Sequence, residues 1–179
     1  MATPLNITPL RAAKARDLFV HSAISRSFTQ LNTALAHYVE CERDIEHADS
    51  FDPAFLSWTV DAEHARTQVL WLVDRITGAG IERPEDLPLR RSARLLGALV
   101  ESGSESAFTA LHRLLGSHAH LFACLQHGAV ATRTRQMLET CHGLLDALAD
   151  LEEFNDAAAG PAGDPVMRAQ LPLTAACAP

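Results

Sequence analysis

The chain has 179 residues, 47% of them apolar, and a formal net charge of −7. That length and apolar content exclude wholesale disorder and suit one domain able to bury a core without disulfides or metal. The acidic balance argues against nucleic-acid binding, because neutralising phosphates needs clustered Lys and Arg. The one dense basic run, Arg83 with Arg90, Arg91 and Arg94, reads as a solvated helix start.

Helix punctuation divides the chain. Thr8-Pro9 and Asp52-Pro53 each pair a good N-cap with a proline at the first helical position, where its missing N–H costs nothing. Gly78, Gly80, Gly103 and Gly128 follow periodic stretches and fit C-terminal caps, and Pro84 and Pro88 mark a connection. The pattern predicts helices over 9–21, 23–48, 53–77, 88–101, 104–127 and 129–157. The first two joined would make a rod of about 60 Å at 1.5 Å per residue, so a bend is expected around Ser22–Ser27. No stretch alternates at period two, so no sheet is expected.

Four of these segments carry apolar residues at 4-3-4-3 spacing. The second helix gives Ile24, Phe28, Leu31, Leu35, Tyr38, Glu42 and Ile45, and the third Trp58, Ala62, Ala65, Val69, Leu72 and Ile76. The fifth gives Phe108, Leu111, Leu115, His118, Phe122 and Leu125, and the last Val130, Thr134, Met137, Cys141, Leu144, Leu148 and Leu151. One side chain per turn on a single stripe lets neighbouring helices interlock at a small crossing angle. The expected fold is therefore all-α, an antiparallel four-helix bundle of two hairpins turning near Phe51 and Gly128. The short helix at 88–101 would cap or flank it, and 9–21 would be an N-terminal helical extension. Residues 1–157 would form this single domain, and 158–179, with four prolines, a flexible C-terminal tail.

No apolar run approaches the roughly 20 residues of a membrane span, and the first residues lack the apolar block of a secretory signal. Four cysteines (Cys41, Cys124, Cys141, Cys177) show neither a CxxC motif nor zinc spacing. A reducing cytoplasm is the expected compartment.

Several patterns resemble metal sites. Di-iron bundles place Glu-x-x-His pairs on facing helices, since residues three apart share a face. Asp44-x-x-His47, Asp61-x-x-His64 and Glu139-x-x-His142 imitate this, with His37 and Glu40 as a reversed pair. Facing decides against them: at about 100° per residue, each points away from its helix's apolar stripe or lies on its flank. No P-loop, GxGxxG, GxSxG or HExxH is present.

The polar residues on the stripes are Glu42 and His118, with Tyr38 one turn before Glu42. A buried carboxylate needs a partner. If both hairpin turns lie at one end, Glu42 and His118 come to similar heights, with Glu46 and Arg66 on the flanks. The ligand-binding candidates are thus Tyr38, Glu42, Glu46 and His118. Leu56, Val60 and Trp71 form a second apolar edge on the third helix, either covered by the helix at 88–101 or open as an interface.

The function expected first is a non-enzymatic cytoplasmic protein acting by protein–protein interaction, of adaptor, regulator or chaperone type. Its partner would be another protein or a second copy in a homodimer, with no nucleic acid, membrane or cofactor. The rival is a bundle that binds a small ligand, or a metal through Glu42, Glu46 and His118, and works as a metal-dependent enzyme.

Overall fold

The computed structural model describes residues 21–46 and 53–151. These form helices α1 (Ala23–Glu46), α2 (Phe55–Gly78), α3 (Asp86–Val100), α4 (Glu105–Ser117), α5 (Ala119–Phe122) and α6 (Ala129–Ala149), with no strand among them. The expected helix at 9–21, the turn at Phe51 and the tail 158–179 fall outside the described residues.

The most extensive packing is between α1 and α2. On α1, Ile24, Phe28, Leu31, Leu35 and Tyr38 are all buried, and on α2 so are Ala62, Ala65, Val69, Leu72 and Ile76. The 4-3-4-3 stripes therefore meet along their length. The pair runs antiparallel, since Ala23 and Arg26 share a cleft with Arg75 and Ala79, while Asp61 lies close enough to raise the Cys41 thiol pKa.

The helix expected over 88–101 to cap or flank the bundle is α3, and it is deeply packed. Leu89, Ser92, Ala93, Leu96 and Leu99 are fully buried, and α3 packs on α1, α2, α4, α5 and α6. Burying each leucine side chain contributes about 2 kcal/mol. Gly97 permits a close approach to α2, because a Cβ there would lie 2.8 Å from Val73 Cγ1. The end of α3 is held too, where Arg66 Nη2 donates to the Val100 carbonyl at 3.3 Å.

The starts of α1 and α3 are tied by one carboxylate. Asp86, 2% exposed, accepts from Ser22 Oγ and from the backbone N–H groups of Glu82 and Arg83, both at 3.1 Å. Ser22 Oγ in turn accepts from Ser25 N–H, capping α1.

The expected single helix over 104–127 does not exist. Ser104 caps α4, its Oγ accepting from Ala107 N–H at 3.3 Å, but the helix ends at Ser117. Gly116, Ser117 and His118 are weak helix formers in succession, and Ser117 Oγ donates back to the Arg113 carbonyl. After the single turn of α5, residues 123–127 belong to no helix. Gly128 then turns the chain at φ +107°, a conformation that favours glycine, and opens α6 rather than capping a preceding helix. As a result α4 buries only Phe108, and Leu125, expected on a core stripe, is 74% exposed. α6 keeps most of its stripe, with Thr134, Met137, Cys141 and Leu148 buried, Val130 and Leu144 half-buried, and Leu151 buried just beyond its end.

Candidate functional site

The expected polar pair is not assembled. His118 is the exposed residue at the junction of α4 and α5, bonded to Ser117 Oγ through Nδ1 at 2.9 Å and 6.3 Å from the His120 ring. Arg91, early in α3, donates to the Leu121 carbonyl and so fixes this junction near the Asp86–Ser22 end. Glu42 lies 20 residues, about 30 Å of helix, beyond Ser22. It is half-buried near the other end of α1, with Glu46 one turn further on. Tyr38 is buried in the α1 stripe, and Tyr38, Glu42 and Glu46 are each engaged by a neighbouring group. Arg66 bonds to Glu63 and to the Val100 carbonyl. Glu42 and His118 would come to matching heights only on a continuous helix from 104 to 127, and α4 ends at Ser117.

The Glu-x-x-His look-alikes lie where helix geometry puts them. His37, Glu40, Asp61, His64 and Glu139 are exposed, and His142 is half-buried. Among the described residues no group of three or more His, Cys, Asp or Glu is placed to hold a metal ion.

Two other features stand out. The first is a groove of about 630 Å³ between α6 and the α4–α5 limb. Its apolar walls come from Leu115, Phe122 and Leu138, and one stripe of α6 supplies Arg135, Glu139, His142 and Asp146. His142 Nε2 lies 3.4 Å from the Oγ of fully buried Ser92, and its ring meets Phe122 edge to face at 6.4 Å. Burial pushes the His142 pKa below the usual histidine value, only partly offset by Asp146, so the ring is neutral at neutral pH. Asp146 accepts from His112 at 3.0 Å, and His112 stacks on Phe108.

Cys124 also lines this groove, but its thiol bonds to Gln126 Oε1 and burial raises its pKa. The protonated thiol is a poor nucleophile, so Cys124 and His142 do not make an activated dyad. Cys141, wholly enclosed, is pushed up to about 12 by burial and acts as core filler. The arrangement favours binding over covalent chemistry. Of these α6 residues, the sequence pattern offers Glu139 and His142, which lie off the apolar stripe, and gives no sign of Arg135 or Asp146 beyond the mid-helix Gly143.

The second feature is the outer face of α2. Leu56, Val60 and Trp71 are 73%, 47% and 58% exposed. They lie within about 60° of one another around the helix and opposite its buried stripe, at 100° per residue. α3 therefore packs on the far side and leaves Trp71 uncovered. Arg75 lies over the Trp71 ring at 5.4 Å, and both line a shallow cleft of about 560 Å³ between α1 and α2, beside His37 and Gln68. No helix among the described residues is long and apolar enough to cross a membrane.

Comparison with protein-family models, with curated proteins and with solved structures finds no match.

Proposed function

We propose that this is a non-enzymatic interaction protein of adaptor, regulator or chaperone type, working through the outer face of α2, with a second copy of the chain as its partner. The observation that carries the reading is the exposure of Leu56, Val60 and Trp71 on one line of a helix whose opposite side is core. Large apolar side chains grouped outside a core are the usual mark of an interface, and exposed tryptophan supplies its strongest anchors.

The spacing suits self-pairing. Setting two α2 helices antiparallel about a two-fold axis between Ala65 and Arg66 places Val60 of one copy against Trp71 of the other, twice. It also lays Leu56 along the aliphatic stem of Arg75. In this reading α1, α2, α3 and α6 act as a four-helix core that holds the face rigid, and the α4–α5 limb lies outside it. Three described cysteines, all buried and unpaired, favour the cytoplasm as the setting.

Sedimentation velocity on the full chain tests the reading. The wild type is expected to shift from monomer to dimer as concentration rises. Trp71→Ala should weaken that association at least about tenfold, because the contact occurs twice. Wild type and variant equally monomeric at every concentration would rule out self-association through this face.

A further inference from the structure

The geometry points to the α4–α6 groove as a binding site for a small organic amine, an apolar body carrying one ammonium group. This inference is independent of the α2 face. A volume of about 630 Å³ is the size of a small-molecule site, and the walls from Phe122 and Leu138 suit an apolar body. The sign of the ligand's charge follows from the polar stripe of α6. Arg135 has its guanidinium bound at one end of the groove, Nη1 to the carbonyls of Cys124 (3.4 Å) and Gln126 (2.9 Å), and Nη2 to Thr132 Oγ1 (3.2 Å).

Glu139, one turn on and exposed, has no ion-pair or hydrogen-bond partner among the described residues. Asp146 adds a second carboxylate, 67% exposed, that meets only His112. His142 sits between them with its ring on buried Ser92, and burial, outweighing the nearby Asp146, keeps it from contributing a positive charge at neutral pH. The lining thus carries two carboxylates against one occupied guanidinium. An ammonium group is complemented there, and a carboxylate or phosphate is repelled. Apolar walls with an unpaired acid are the pattern of a site that orients an amphipathic cation.

Gly143 gives the site a clean test. Gly143 borders the groove and a Cβ there meets nothing within 4 Å, so Gly143→Leu adds bulk at the groove's rim without disturbing the core. The change also favours the helix, so the variant should melt no lower than wild type. The probes are 2-(1-naphthyl)ethylamine, 2-(1-naphthyl)ethanol and 1-naphthaleneacetate, followed by backbone amide shifts of the full chain in solution. The amine is expected to move the amides of Glu139 to Asp146 and to bind about fivefold tighter than the alcohol. The acid should bind weakest. Glu139→Gln should bring the amine to the level of the alcohol, and Gly143→Leu should abolish the shifts with its melting temperature maintained. The proposal is overturned if millimolar amine leaves the α6 amides unmoved or if the acid binds as tightly as the amine. It is equally overturned if Gly143→Leu keeps the wild-type affinity.

Discussion

Gly97→Ala asks directly whether α3 is a core helix in close contact with α2. In an exposed helix interior this change would stabilise the protein by about 1 kcal/mol, because alanine loses less backbone freedom on folding. Here the new methyl would lie 2.8 Å from Val73 Cγ1. Val73 is buried on a helix, and a β-branched side chain there has one strongly preferred rotamer, so it cannot swing away cheaply. Overpacking of this kind costs about 1–3 kcal/mol. The net effect expected is a loss of about 1 kcal/mol, or roughly 3 °C in melting temperature for a chain of this size. In a Val73→Ala background the obstructing methyls are gone, and the same Gly97→Ala change should now stabilise by up to about 1 kcal/mol. A reversal of sign between the two backgrounds, read by urea denaturation, is the expected result. If Gly97→Ala stabilises the wild type by its full helix propensity, the close approach of α2 and α3 is wrong.

Two further outcomes follow from buried polar groups. Asp86→Ala leaves Ser22 Oγ and two backbone N–H groups without their acceptor, and should lower stability by about 2–4 kcal/mol; a loss under 0.5 kcal/mol in chemical denaturation would show that the junction carries little. His142 has a folded-state pKa below its unfolded value, so below about pH 6.5 the unfolded chain takes up a proton that the folded chain refuses. Its contribution is therefore complete above pH 6.5 and is lost as pH falls towards the folded-state value. Between pH 7.5 and 5.5 the wild type should lose more stability than His142→Gln, and parallel losses would refute the burial of this ring.

The helices were legible wherever one apolar stripe ran uninterrupted. Ile24 to Tyr38, Ala62 to Ile76 and Thr134 to Leu151 each follow the 4-3-4-3 rule and lie buried, except Leu144, which is half-buried while Leu145 takes the core position. The rule misled at 104–127, where Phe108, Leu111, Leu115 and Phe122 keep the spacing although the helix breaks at His118. Periodicity records spacing alone, and the consecutive weak formers Gly116, Ser117 and His118 decide the outcome locally. The same break dissolved the Glu42–His118 pair, whose matching heights depended on it. α3 was undervalued for being short, yet Leu89, Ala93, Leu96 and Leu99 show a stripe as regular as any. The groove was hidden for another reason. A site on the flank of a helix appears only when a neighbouring segment supplies its other wall, and no pattern within α6 announces where residues 119–124 return.

The uneven burial on the two sides of that groove has a kinetic meaning. α6 presses Met137, Cys141, Leu145 and Leu148 into the common core, whereas the opposite wall buries only Phe108, Phe122 and Cys124, with Leu111, Leu114 and Leu115 half-buried against the core and hydrogen bonds from Arg91 and Arg135 beside them. Opening the inner wall requires unfolding the whole protein; releasing the outer one requires only detaching a short length of chain. The groove therefore has one deeply held side and one lightly held side, and an occupant that fastened the two together would be expected to slow the exchange of amide hydrogens in residues 105–127 before it altered any others.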